Sequence, residues 1–334
     1  MAFPNSPESN PQYPGQENLA GDLDALFKDK FKPAVGQLLM EEEKLSGIFE
    51  VVSLNGSKTY TEPAVGRTIT KTQENRGDFL SGEKIEHAEN TIGCDRPEYA
   101  KVSVDQVDEA MSNLLIKPVY RTRMARAIGR YRDGYRICEL VKAARATHAL
   151  TSEVGGSVIT GVDLTTPTTK ADQGEVLYHA LESAIQTMRE KDVEDSLTAL
   201  LTYAQRTMLH NYIPLINKDY GGPSDVTDED VKNVLGLNII YSNTANQMYG
   251  VTIDGTQVGL SMNVQSNHYV NMLNTVGLVF ADQALLETSL TIKDEGWFLI
   301  DREEHLETAV QNVIVRGCGV RDPRYAIELS SLVA

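Results

Sequence analysis

Apolar residues in the last third of the chain come in short runs separated by polar turns, so residues 276–329 read as strand after strand. Earlier the spacing is helical. Val176, Ala180, Leu181, Ala184, Ile185 and Met188 recur at three- and four-residue intervals and predict an amphipathic helix over 175–192. The longest helical pattern covers 119–150, with Met124, Ala127, Ile128, Tyr131, Tyr135, Cys138 and Val141 on its apolar face. Lys117-Pro118 marks its start, because proline is well placed in a first helical turn. Shorter helices are expected at 104–114, through Val107, Ala110, Met111 and Leu114, and at 21–40, through Leu23, Leu26, Phe27 and Phe31. Strands are expected at 50–53, at 197–203 before a short helix ending at His210, within 231–241, and centrally at 275–280. Residues 151–173, 217–230 and 243–274 are polar or rich in Gly, Thr and Pro, and read as a connection, a turn region and an exposed loop or hairpin.

Residues 55–97 follow neither period for long. Thr59 to Glu62 and Val65 to Thr70 alternate, Glu74-Asn75-Arg76-Gly77-Asp78 is a polar tip, and Ile85, His87 and Asn90 to Ile92 return. Such a hairpin has little apolar content and no core of its own. It is expected to project and to be ordered by another surface. The alternation of helices and strands elsewhere predicts an α+β chain built on a mixed sheet flanked by helices.

Composition narrows the function more than the fold. A 334-residue chain with 41% hydrophobic content can bury a sizeable core and more than one compact unit. No apolar run approaches the length of a membrane span. Residues 1–18, rich in Pro, Asn, Ser, Gln and Glu, lack the basic start and apolar middle of a signal peptide and read as a flexible tail. A net charge of −16 argues against generic nucleic-acid binding, which rests on neutralising phosphates. The 119–150 helix is the basic exception. It carries Arg121, Arg123, Arg126, Arg130, Arg132, Arg136, Lys142 and Arg145, with Lys117 just ahead. These read as a solvated face paired with acidic neighbours, or as a surface meeting acidic loops of other subunits or lining a DNA-filled space.

Catalytic chemistry has no visible carrier. Cys94, Cys138 and Cys318 lack CxxC spacing and read as reduced structural thiols. The six histidines show no HExxH spacing, and Glu303-Glu304-His305 points to opposite faces of an extended segment. Asp228-Glu229-Asp230 lacks the calcium-loop spacing, and neither Gly155-Gly156 nor Gly317-Cys318-Gly319 leads into Lys-Ser/Thr. No catalytic, cofactor or metal residue is assigned.

Three segments carry a family likeness in their order and spacing. They are Pro63-Ala64-Val65-Gly66-Arg67-Thr68, Asn233-Val234-Leu235-Gly236-Leu237, and the run from Val313 to Pro323 that closes on Arg321-Asp322-Pro323-Arg324. The chain from about Leu19 onward resembles the HK97-type major capsid proteins of tailed bacteriophages, with a nearer likeness to those of short-tailed, autographivirus-like phages. The resemblance implies an N-terminal arm (1–54), an extended loop (55–97), a peripheral domain (98–155 and 285–320) with a long spine helix, and an axial domain (156–284 and 321–334). It implies hexamers and pentamers in an icosahedral shell around double-stranded DNA. Partners would be further copies, a scaffolding protein, a portal protein and optionally a decoration protein. DNA contact would be non-specific, with no membrane and no cofactor. The protein would reside in the virion after assembly in the host bacterial cytoplasm. Subunit contacts are expected from Lys58, Tyr60, Arg67, Arg76, Asp78 and Phe79 on the loop and Arg123, Arg126 and Arg130 on the helix. No Lys–Asn crosslink is expected: Lys58, Lys71 and Lys84 have no identifiable Asn and acid partners. Rival readings are an encapsulin-like cargo shell, an α/β enzyme with an unrecognised site, and a nucleic-acid module using the basic helix.

Overall fold

The structure is a computed structural model. It describes residues 43–54, 56–72, 82, 84–106, 116–212, 233–255, 264–290, 297–302 and 307–332. In chain order these form β1 (Glu50–Ser53), β2 (Thr59–Val65), β3 (His87–Gly93), β4 (Glu98–Asp105) and α1 (Ile116–Arg145). Then come β5 (Ser157–Ile159), α2 (Lys170–Glu190), β6 (Thr198–Leu201), α3 (Tyr203–His210), β7 (Asn233–Val234), β8 (Leu237–Tyr241) and α4 (Asn243–Met248). The rest is strands: β9 (Thr252–Ile253), β10 (Val270–Asn271), β11 (Thr275–Phe280), β12 (Leu285–Leu290), β13 (Trp297–Arg302), β14 (Glu307–Val320) and β15 (Ala326–Ser330). The described residues divide into a larger unit within Glu43–Asp95, Tyr131–Ser289 and Gly317–Ala334, and a smaller one within Arg96–Arg130 and Leu290–Arg316.

The larger unit is organised by a six-stranded sheet in the order β5-β15-β11-β6-β8-β7. It is mixed: β15–β5 and β6–β8 run parallel, and the other neighbours antiparallel. Every residue of β6 and β15 is buried, because helices cover both faces. Alternate side chains therefore enter different cores. Leu200, Leu278, Phe280 and Ala326 pack with Tyr135, Ile137, Cys138 and Val141 of α1, and with Leu45 and Phe49. Ala199, Leu201, Val279, Ile327 and Leu329 pack with Leu177, Leu181 and Met188 of α2 and Leu209 of α3. Local signals agree with these ends. Thr169 caps α2 through its side chain, and Thr202 with Gln205 closes a reciprocal capping box on α3. β7 and β8 join through Leu235 and Gly236, both at positive φ (54° and 80°), as a two-residue hairpin turn needs. β1 pairs in parallel with β12, and β2 with β3 forms a separate antiparallel ribbon.

In the smaller unit β14 lies between β4 and β13, antiparallel to both. Among its described residues Val104, Met124, Ile128, Ala309 and Val310 are the buried apolar ones.

Strands were expected at 50–53, 275–280 and through 276–329, and they are there. The expected helix over 104–114 is corrected at its start, since Val104 and Asp105 close β4 in register with Thr308 and Glu307. Its remainder from 107 lies outside the described residues, as do the 21–40 helix, the hairpin tip at 74–78 and the 217–230 turn region. The long helix runs over Ile116–Arg145 and stops short of Leu150. Beyond it the chain packs so tightly that a Cβ on Gly156 would lie 2.2 Å from the Ala143 carbonyl oxygen. The 243–274 stretch is more regular than expected. It contains α4 and the β9–β10 pair.

Phe280 is fully buried and its ring centroid lies 5.5 Å from that of Phe49. Phe280→Ala should cost about 3–5 kcal/mol, and Thr202→Ala, which loses only a cap, about 1 kcal/mol. Urea unfolding of the subunit measures both, and equal midpoints would contradict this account of the core.

Candidate assembly surface at the hairpin root

The β2–β3 ribbon has two unlike faces. Tyr60, Glu62 and Ala64 face Ile92, Asn90 and Ala88 across the strands and are half-buried or buried. Thr59, Thr61, Pro63, Val65, His87, Glu89 and Thr91 are exposed, with the Thr61 and Thr91 hydroxyls 3.1 Å apart. The inner face carries a carboxylate and an amide, and both meet the end of β14 and the turn after it.

Arg321 grips Glu62 with two parallel hydrogen bonds, Nη2 to Oε1 at 2.8 Å and Nε to Oε2 at 3.0 Å, and donates Nη1 to Glu50 at 2.9 Å. Asn90 Nδ2 donates to the carbonyls of Val320 (2.6 Å) and Arg321 (3.0 Å). Just beyond β2, Arg67 Nε donates to both oxygens of Glu153 at 3.0 and 3.1 Å. Arg324 Nη1 reaches the same carboxylate at 2.8 Å. Arg324 is itself oriented by Asp322, which accepts from its backbone N–H and its guanidinium. Pro323 between them opens a 3-10 turn. Glu86 accepts from the Thr151 amide at 2.9 Å and from its hydroxyl, which hold its carboxyl below the ordinary range. These groups border an open polar cleft of about 250 Å³ lined by Glu62, Asn90, His148, Glu153, Arg321 and Arg324. At the Thr59–Gly93 end of the ribbon the backbones approach closely: a Cβ on Gly317 would sit 1.9 Å from the Gly93 carbonyl oxygen and 2.7 Å from the Thr288 hydroxyl.

The basic helix behaves differently along its length. In the smaller unit Arg123 and Arg126 are half-buried and Arg130 is buried. In the larger unit Arg132 and Arg136 turn inward, which corrects the expectation of a solvated face there, while Arg145 at the helix end stays exposed. Arg136 bonds Glu287 through Nε and through Nη2 (3.1 Å), and its Nη1 bonds Asp133 (3.0 Å) and Glu43. Arg132 Nη2 lies 3.3 Å from both Glu43 and Glu287. Asp133 also accepts from the Lys44 amide at 2.6 Å and the Leu45 amide at 3.3 Å. Burial pushes the Asp133 carboxyl up to about 6 against those bonds. Burial alone would lower Arg136, but Glu287, Glu43 and Asp133 hold it well above its ordinary value. Arg145 Nε and Nη2 bind Glu328 of β15 at 2.6 Å each.

Of the expected contact residues, Lys58 is exposed at the root, Tyr60 lies on the inner ribbon face and Arg67 sits just past β2, on the tip side of the ribbon. Arg76, Asp78 and Phe79 lie outside the described residues. Sequence reasoning had Glu62 and Asn90 only as strand residues of the hairpin and did not single out Glu86 or Glu153. It singled out Arg321-Asp322-Pro323-Arg324 without finding its partner, which is the hairpin. No cluster of three or more His, Cys, Asp or Glu suited to a metal occurs among the described residues, and no described helix is long and apolar enough to cross a membrane.

Comparison with known proteins gives a consistent result. The sequence matches the Gp10A-like family, described as major capsid protein, over residues 63–293. The fold is similar to the capsid structure of cyanophage P-SCSP1u, at 25% identity over 93% of this chain and 95% of that one, with a TM-score of 0.76. It is also similar to the mature capsid of bacteriophage PhiM1, at 15% identity over 96% of each chain and a TM-score of 0.74. A further likeness is to Mycobacterium phage Che8, at 13% identity over 90% and 96% and a TM-score of 0.64. No curated protein matches the chain by sequence.

The root contacts differ in strength. Arg321→Ala should weaken amide protection in β2 and β3 by about 1–2 kcal/mol, because a forked carboxylate pair is lost from a partly buried site. Arg67→Ala should cost less than about 0.5 kcal/mol, since that side chain is half exposed. Gly317→Ala should exceed both, because the added methyl meets backbone. Native-state hydrogen exchange ranks the three, and a reversed order would overturn the assignment of Arg321 as the main anchor.

Proposed function

The chain belongs to the Gp10A-like family of major capsid proteins and has the HK97-type fold of tailed-phage shells, and on that premise we propose how its copies assemble. They form hexamers and pentamers that close an icosahedral shell around double-stranded DNA, and the β2–β3 ribbon of each copy lies across its neighbour. The observation that carries this reading is the ribbon itself. Among the described residues β2 and β3 pair only with each other, and their outer face is exposed. Two strands alone are marginal in water, so a second surface is needed to order them. A contact of one patch with a different patch, repeated around a ring, closes the ring.

In this reading 1–54 is the arm and 55–97 the extended loop. Residues 98–155 with 285–320 form the peripheral domain, and 156–284 with 321–334 the axial domain. Lys58 and Tyr60 are contact residues near the ribbon root, with Arg67, Arg76, Asp78 and Phe79 beyond β2 on the tip side. On α1, Arg123 and Arg126 contribute, and Arg130, being buried, supports them from beneath. The role is structural, without a catalytic step. Further partners are a scaffolding protein, a portal protein and optionally a decoration protein. The protein resides in the virion of a short-tailed phage after assembly in the host cytoplasm. A net charge of −16 suits a wall that must not trap the polyanion it encloses.

Negative-stain microscopy of the purified protein, with and without a co-expressed scaffold, tests this directly. Uniform closed shells or flat hexamer rings are expected, and a monodisperse small species under every condition would refute the reading. Charge reversal at Arg67 or Arg126 should reduce shell yield. Boiled, denatured particles should run as single-chain bands, and a ladder would reveal a crosslink.

A further inference from the structure

One buried histidine joins three distant parts of the larger unit. His268, only 1% exposed, places Nδ1 2.8 Å from Glu139 Oε1 of α1 and Nε2 2.9 Å from Asp95 Oδ2. Asp95 stands at the hairpin root, two residues after β3, and the Cys94 amide beside it closes the ribbon onto the Lys58 carbonyl at 3.0 Å. The imidazole lies flat on the Tyr135 ring, with centroids 4.8 Å apart and planes at 3°. Asn267 Nδ2 donates to the other oxygen of Asp95, while Lys142 Nζ donates to Glu139 Oε1 at 2.7 Å and to the Asn267 carbonyl. The Cys318 thiol on β14 is held neutral by burial, within the field of Asp95, Glu139, Glu287 and Arg136.

Both ring nitrogens face carboxylates, and an imidazole can donate at both only when doubly protonated. The charges then balance: His268 and Lys142 against Asp95 and Glu139. Removing the ring proton leaves one excess negative charge in a buried site and converts one N–H···O contact into a repulsion of lone pairs. We propose that His268 is a protonation-dependent tether that fixes the hairpin root to α1. Burial alone would lower the ring's pKa, but hydrogen bonds to Asp95 and Glu139 and their charges raise it to about 9. A raised native pKa gives a fixed sign. The tether has full strength below the ordinary imidazole value and is lost as pH rises through about 9. The hairpin root is then stiff in neutral medium and loosens in mild alkali.

The test uses the unassembled full chain, so its outcome is independent of ring closure. Histidine-labelled protein followed by NMR gives the His268 titration, and hydrogen exchange gives protection factors for residues 87–95 at pH 7 to 10. The ring should titrate well above 6.5, and Asp95→Asn and Glu139→Gln should each lower it. Wild-type protection should fall about tenfold or more over that range. His268→Gln should be flat and meet the wild-type curve at its alkaline end. A ring titrating at or below 6.5, or equal pH slopes in wild type and H268Q, would overturn the proposal. If H268Q does not fold, the wild-type ring titration decides alone.

Discussion

A guanidinium taken out of water must find carboxylates, and that constraint organises the larger unit. Residues 132–144 of α1 are buried nearly all round, yet they include Arg132 and Arg136. Arg136 draws in Glu287 of β12, Glu43 of the segment before β1, and Asp133. Arg145 draws in Glu328 of the central strand β15, which also accepts from the Thr275 hydroxyl. Hydrophobic packing alone would tolerate α1 sliding or rotating over the sheet. Forked pairs with acids on fixed strands do not, because a shift of one residue leaves a charge buried without its partner, at a cost of about 3–5 kcal/mol.

The hairpin root follows the same logic under weaker burial. Its ion pairs are partly exposed, and each contributes little to stability by itself. Their value is directional: Arg321 and Asn90 set where the ribbon leaves the body, and the Gly93–Gly317 approach sets how closely. The inner face is thereby occupied and the outer face left open, which suits a ribbon whose second surface is supplied by another copy. A flexible root would lose ordering entropy at every contact of a shell, and a positioned one has already lost it.

These two regions explain why a strongly acidic chain concentrates arginine in one helix and one terminal turn. The acids are in excess overall, and buried Arg132 and Arg136 have carboxylates within reach. The pairs at Glu153, Glu62 and Glu287 join segments more than eighty residues apart in sequence. None of those links is local, and local periodicity carries no trace of them.

The sequence by itself determined the elements whose signal is local. The 3.6-residue apolar period marks α2, the alternation of 59–62 with 90–92 marks the ribbon, and the apolar runs at 197–203 and 275–280 mark β6 and β11 as strands. Order and spacing of such segments also sufficed for the α+β class and the capsid likeness. Only the tertiary structure decided which charges are interior. Arg132 and Arg136 look like solvated residues on a helical wheel until β12 brings Glu287 to them. His268 was one histidine among six until folding placed Asp95 and Glu139 at its two nitrogens. The physical reason is range: backbone preference and burial period act over a few residues, whereas the electrostatic environment of a side chain is set by whatever the fold brings next to it.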